Sequence, residues 1–349
     1  MKGHLKYNMT VGETQKNTRL ITLIVLMLLL VTSFAVCLGI GRVRVPVIQV
    51  VRILLSNFFT LKQTWTDSMY SVVMVIRLPR LVANIIVGSA LALSGATYQG
   101  LFKNPLVSPD LLGVSNGAGV GASMAILLGM SGLGIQISAF LCSFLAVGLT
   151  VWIASRFVSR DNLVLVLSGI IVSGFMSSLL SFFRYSADPN SSLPRIVFWL
   201  MGSMAPIRFN DIAIVIIPIA VCSTILIGVS WKINVISLGA DEAQTLGVDI
   251  RKFRGICIIC STIITSSVVS ISGTIGWFGL VIPHIGRLLV GSVHEYLLPV
   301  SMVAGGVFMI ILDTTARTIT AGELPISVMT GLIGAPVFAY ILLRRKNNF

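Results

Sequence analysis

The sequence predicts an all-α integral membrane protein of about ten transmembrane helices with both termini cytoplasmic. Three observations predict it. Of the 349 residues, 55% are hydrophobic and only 11% charged, against about 25% charged in soluble domains. Mean hydropathy is +0.96. The apolar residues lie in uncharged runs close to the ~20 residues that cross a bilayer core as a helix, with basic residues collected at the run ends. In a soluble protein the net charge of +13 would suggest nucleic acid. In this pattern it marks topology, so membrane lipid is the expected partner and nucleic acid is not.

Taken in order, residues 1–19 read as a polar cytoplasmic tail with Lys2, Lys6, Lys16 and Arg19. Leu20 to Ile40 is the first span. It is longer than a signal-peptide core, and Gly39-Ile-Gly41 makes a poor cleavage site. Val45 to Leu61, interrupted by Arg52 and Asn57, reads as an interfacial amphipathic helix. Uncharged runs follow at Leu81–Phe102, Leu111–Ser155, Asn162–Phe183, Ile212–Trp231, Gly255–Gly286, Tyr296–Leu312 and Leu324–Leu343. Two are too long for one crossing. They break at Gly129-Met-Ser-Gly-Leu-Gly134 and near Gly273-Thr-Ile-Gly276, because glycine weakens helices and permits tight turns. The count is ten, an even number, and the basic Arg344-Arg345-Lys346 in the 344–349 tail then shares a side with the basic N-terminal tail. Residues 20–343 form a single expected domain, and this topology places 15 basic residues inside and 10 outside.

The longest polar stretch between apolar runs lies within 232–254. Asp241 and Glu242 start a short helical stretch, Gly247 ends it, and Arg251, Lys252 and Arg254 precede the next span. Spacing alone leaves an ordinary cytoplasmic loop and a docking element equally open. The outside arginines are not explained by topology. Arg77-Leu-Pro-Arg80 places two guanidinium groups at one end of the second span, and Arg317 lies at the same-side end of the ninth. Headgroup anchoring and a basic rim for a partner's carboxylates are both consistent with that placement. Asp313 stands about one turn before Arg317 and is expected to pair with it.

Small residues recur at helical spacing, as in Gly113, Gly117 and Gly121, which predicts close helix packing in lipid. Gly113-Val-Ser-Asn-Gly117 matches a hydrolase elbow pattern, but no strand precedes it, so packing is the reading. Cys257-Ile-Ile-Cys260 has redox spacing without a second ligand pair, and His284 reads as satisfying a local partner; no metal or cofactor site is expected. No Gly is followed by Lys, so a phosphate cradle is missing, and no nucleophile-base constellation stands out. No catalytic residue is expected. Uphill transport would then draw its energy from another chain.

These stretches together resemble a known family. Arg77-Leu-Pro-Arg80, Val87–Gly100, Asn104–Gly119, Trp199–Gly202, Leu238–Gly247, Gly276–Arg287, Glu323–Ile326 and Gly334–Pro336 stand in the order of the FecCD-type permeases. These are membrane subunits of binding-protein-dependent ABC importers for iron-siderophores, haem and cobalamin. The resemblance implies a permease dimer, formed with itself or with a second permease, an ATPase dimer on the cytoplasmic side and a substrate-binding protein outside, in the plasma membrane. It implies that Leu238, Gly239, Ala240, Asp241, Glu242, Ala243, Leu246 and Gly247 form the ATPase-coupling helices. It also implies that Arg77, Arg80 and Arg317 meet glutamates of the binding protein, and that Asp161 and Asn162 lie near the cytoplasmic gate. An ion-coupled secondary carrier is the alternative, and it would need inverted repeats with broken helices around a midplane ion site.

Overall fold

An α-helix rises about 1.5 Å per residue, so the apolar runs fix the height of the molecule. The computed structural model describes residues 2–57, 59–157, 162–320 and 322–346, with backbone alone at 2–16, 240–241, 341–342 and 344–346. Among the described residues every regular element is helical. The first helix, α1 (Lys2–Gly39), runs far back beyond its apolar part, Asn17–Gly39, so the expected tail continues the helix. The short α2 (Val47–Leu55) buries Val50 and Ile53 and exposes Val47, Ile48 and Val51, the two-faced pattern expected for that segment.

Next, α3 (Asp67–Tyr70) is capped by the Thr66 hydroxyl, which accepts from the Met69 N–H. It continues through a π-helical stretch, Ser71–Arg77, into α4 (Leu78–Leu101). The second span was expected to begin at Leu81; the helix starts at Asp67 and is continuous for 35 residues. Arg77 and Arg80 therefore lie inside a helix rather than at its tip.

The remaining helices are α5 (Val114–Leu127), α6 (Gly132–Ser155), α7 (Asn162–Ser186), α8 (Ser192–Met201), α9 (Phe209–Gly228), α10 (Ser230–Leu238), α11 (Ala240–Thr245), α12 (Ile250–Ser272), α13 (Phe278–Val290), α14 (His294–Ile319) and α15 (Ile326–Lys346). Both expected breaks are present, between α5 and α6 and between α12 and α13.

Seven helices among the described residues are long and apolar enough to cross a bilayer: α1, the α3–α4 helix, α6, α7, α9, α12 and α14. The apolar helices α5, α8, α13 and Ile326–Tyr340 of α15 are shorter. At 14 and 13 residues, α5 and α13 reach roughly 20 Å, about two thirds of a hydrocarbon core. The ten expected runs fall on these seven helices and on α5, α13 and α15. The sequence conceals the shortness of α5 and α13 because the non-helical approaches carry almost no charge, Asp110 alone in the 3-10 turn Pro109–Leu112 and none in the segment Gly273–Trp277.

The main core is built on α4 and α14, with α9, α12 and α13 around them. At the α4–α14 crossing, Gly88 and Gly305 meet backbone to backbone, and a Cβ on either would strike the other's carbonyl. In lipid such contact replaces the missing hydrophobic drive between helices. Gly305→Leu is therefore expected to force the helices apart, and a loss of monodisperse protein on size-exclusion chromatography checks it; unchanged thermal stability would contradict it. The same device joins α5 to α6, where a Cβ on Gly117 would come within 2.7 Å of the Cys142 carbonyl. Packing is thus the role of Gly117, whereas Gly113 turns the chain into α5 at φ +89°, and the Ser115 hydroxyl between them donates to Asp110.

The α12–α13 break is tied down on all sides. Ser203 N–H donates to Ser272 O at 2.8 Å, Thr274 Oγ1 to Leu200 O, Ser327 Oγ to Thr274 O, and Ile326 N–H to Gly202 O at 3.1 Å. Non-helical backbone survives in a membrane only where protein or a water-lined cavity satisfies it. Here the ends of α8 and α15 supply the partners.

Candidate functional sites at the two ends of the bundle

One end is defined by α10 and α11. Gly239 separates them, and the Glu242 carboxylate lies back over Gly239, in the space a side chain there would occupy. The helix closes as the sequence expects. Gly247, at φ +75°, sits in the left-handed region that glycine adopts without steric cost. Its N–H donates to Gln244 O at 3.0 Å and the Val248 N–H to Ala243 O at 2.9 Å, which together form a Schellman motif. Ala243 and Val248 also pack with Ile236 into a small core of their own, flanked by Val235, Ile250 and Phe253. Asp249 then caps α12 by accepting the Lys252 N–H at 3.1 Å, and the Lys232 ammonium lies 3.7 Å from the centre of the Phe253 ring.

The element is thus prefolded, and its two leucines are left over. Leu238 is 67% exposed and Leu246 61%. The side chains of Ala240 and Asp241 lie outside the described residues. A second bond ties this end to the core. Asn234 Oδ1 on α10 accepts both the His294 backbone N–H at 2.8 Å and His294 Nδ1 at 2.7 Å. It supplies, from another helix, a partner for one of the N-terminal N–H groups that α14 cannot satisfy internally. His284, at the same end, lies 3.4 Å from Arg287 and edge-on to Phe338. The expected gate is placed only in part: Asp161 lies outside the described residues, and Asn162 opens α7 with its amide 3.5 Å from Leu101 O.

At the opposite end the three expected arginines are all buried. A helix leaves its last carbonyls without partners, at the negative pole of its dipole. In α1 two guanidinium groups take them. Arg77 Nη1 donates to Leu38 O at 2.7 Å and Gly39 O at 3.0 Å, and Arg317 Nη2 to Cys37 O at 2.8 Å. Arg77 also donates to Val43 O. Arg80 grips Asp313 in a two-toothed pair, Nε to Oδ2 at 2.9 Å and Nη2 to Oδ1 at 2.8 Å, while its Nη1 lies 3.0 Å from Glu323. Asn84 Nδ2 adds a bond to Asp313 at 2.8 Å.

Asp313 was expected to pair with Arg317 along one helix. The ion pair it forms is with Arg80 of α4, because the α4–α14 crossing brings a fork-shaped donor closer than the neighbour one turn away. In this state the three arginines form an internal clamp joining α1, α4 and α14, and none of the three stands free at the surface. Sequence reasoning missed Glu323 as their outermost partner. The clamp exposes it alone, with a side chain 35% accessible.

Arg19 of α1 stacks 4.6 Å over the Tyr296 ring near the start of α14, and α15 begins beside the α12–α13 break and runs away from it, so the Arg19 part of α1 and the far end of α15 lie at the end of the bundle that holds α11. The FecCD transport family model matches residues 23–344. The chain is a FecCD-family ABC importer permease. It is 40% identical to the molybdate import system permease protein of Haemophilus influenzae over 323 residues, 93% of this chain and 95% of that one. It is 38% identical to a probable iron chelatin transport system permease protein of Helicobacter pylori over 280 residues, 80% and 85% of the two chains. Among solved structures, an inward-facing conformation of a metal-chelate type ABC transporter matches with a TM-score of 0.83 at 38% identity, covering 92% of this FecCD permease and 98% of that chain. As a multi-pass membrane protein of the cell membrane, it works with an ATPase and a binding protein, and hydrolysis belongs to the separate subunit.

Proposed function

We propose that this permease forms the translocation pathway as a dimer, presents α10 and α11 to a cytoplasmic ATPase dimer, and receives an iron–siderophore complex from an outer binding protein. The observation that carries this reading is the prefolded α10–α11 element with Leu238 and Leu246 uncovered, since exposed apolar groups on a rigid mount suit a protein partner. ATP-driven closure of the motor would pull on α10, and the Asn234–His294 bonds would carry that pull into α14. Both chain ends would then be cytoplasmic. The ion-coupled alternative is not favoured: the helix break it would use lies at one end of α12, with Ser272 O and Thr274 O already bonded, rather than at a midplane ion site.

A second cargo reading rests on a specific observation, the 40% identity to a permease named for molybdate. Uptake of labelled iron–siderophore, haem, cobalamin and molybdate by cells expressing the complete importer separates the two. Saturable, ATP-dependent uptake of the iron complex is expected, and uptake of molybdate alone would replace that cargo.

The receptor dock is proposed around Arg77, Arg80 and Arg317. A receptor glutamate reaching Arg80 would take the place of Glu323, the exposed arm of the clamp. Glu323→Gln is therefore expected to tighten receptor capture several-fold at low salt, since Arg80 loses a competing charge. Unchanged affinity in a surface-binding measurement would remove Arg80 from the dock.

A further inference from the structure

A cavity of about 710 Å³ opens at the α11 end between α4, α6, α7, α10 and α12; the clamp does not reach it, while Ile236 and Ile250 of its wall also pack against the coupling element and Asn162 of its wall is an expected gate residue. Lys103, Arg251 and Arg254 line it, and no carboxylate stands among its described lining residues. Lys103 and Arg251 are exposed, while Arg254 has a partner within the chain and adds its charge. Lys103 is held just past the end of α4 at φ +52°, a region uncommon for a residue with a Cβ. Most of the remaining wall is aliphatic, including Val151, Ala154 and Leu165.

The cavity's rim carries the side chains that favour a membrane–water interface. On α6 and α7 the flanking Trp152 and Leu163 are exposed apolar residues, as lipid-facing side chains are. The Arg156 guanidinium sits 5.0 Å over the Trp152 ring, an aromatic and cationic pairing that marks a membrane–water interface. A site with exposed cations and an aliphatic wall fits a molecule that is anionic at one end and apolar at the other. A free oxyanion would leave the wall unused, and a zwitterionic lipid would leave the charge unmatched.

We propose that this cavity binds one acidic phospholipid of the inner leaflet, its phosphate held by Lys103 and Arg251 and one acyl chain lying against Val151, Ala154 and Leu165. The site does not depend on the importer's cargo, and neither Leu238 nor Leu246 lines it. Because the cavity joins the start of α7 to α10 and α12, an occupying lipid wedges the helices next to the expected gate against those that carry the coupling element.

The test is native mass spectrometry of the purified chain released from nanodiscs of phosphatidylcholine with 20% phosphatidylglycerol, a probe composition of about one acidic lipid in five chosen so that selective retention stands out. One phosphatidylglycerol per chain is expected on the wild type, with at least a ~10-fold lower occupancy in Lys103→Gln/Arg251→Gln. Ala154→Phe, which fills the cavity and keeps the charges, is expected to lose the lipid as well. Arg42→Gln/Arg44→Gln, at the opposite end, is expected to keep it. Equal retention in all variants, equal retention of phosphatidylcholine, or displacement of the lipid by millimolar inorganic phosphate would each overturn the proposal, the last by showing a soluble oxyanion site.

Discussion

Asp313→Ala is expected to destabilise the folded permease by about 3–5 kcal/mol, because it leaves the Arg80 guanidinium buried with only Glu323 at its rim. The charge cannot be hydrated where it lies. Asn84 would also lose the carboxylate it bonds. The measurement is thermal unfolding in detergent, followed by the fraction remaining monodisperse. The double variant Arg80→Met/Asp313→Leu is expected to recover most of the loss, since replacing both members of a buried pair with apolar groups is often near neutral. If Asp313→Ala and the double variant were both as stable as the wild type, the Arg80–Asp313 pair would contribute nothing. The same energetics decide how receptor docking can be probed. Charge reversal at Arg77 or Arg80 would break the fold before it reported on a partner, so Glu323 is the position from which to test it.

The second large effect concerns the coupling surface. Leu238→Asp/Leu246→Asp is expected to lower affinity for the ATPase by at least ~100-fold, since exposed apolar anchors at the centre of an interface carry most of its energy. The variant should fold normally, because neither side chain is part of the small core of Ile236, Ala243 and Val248. Co-purification with the ATPase reads the effect. Normal assembly and coupled uptake would place the motor dock elsewhere.

Much of this was legible in the sequence, and the exceptions share a cause. Helix ends set by local chemistry could be read: Gly247 closes α11 through a left-handed turn, and the glycine clusters at 129–134 and 273–276 divide two long apolar runs. The exposed motif Leu238–Gly247 was legible for the same reason. What could not be read depended on contacts between distant segments. The Arg80–Asp313 pair spans 233 positions, and the sequence offers Arg317 as a nearer rival. Only the glycine crossing of α4 and α14 decides between them. Arg77 and Arg317 looked like surface charges because the carbonyls that take them, at the end of α1, carry no signature in side-chain composition. The shortness of α5 and α13 was hidden because their approaches are nearly as apolar as the helices, with only Asp110 and Thr274 as bonded polar side chains in the turn Pro109–Leu112 and the segment Gly273–Trp277.

The central claim is that this chain is a conduit whose energy comes from a partner at its α11 end. The most direct measurement reconstitutes it in liposomes with and without its ATPase and binding protein, and follows ATP hydrolysis and cargo entry together. The chain alone is expected to do neither, under an ion gradient or without one, and the full assembly to do both. Uptake or hydrolysis by the isolated chain would contradict the account.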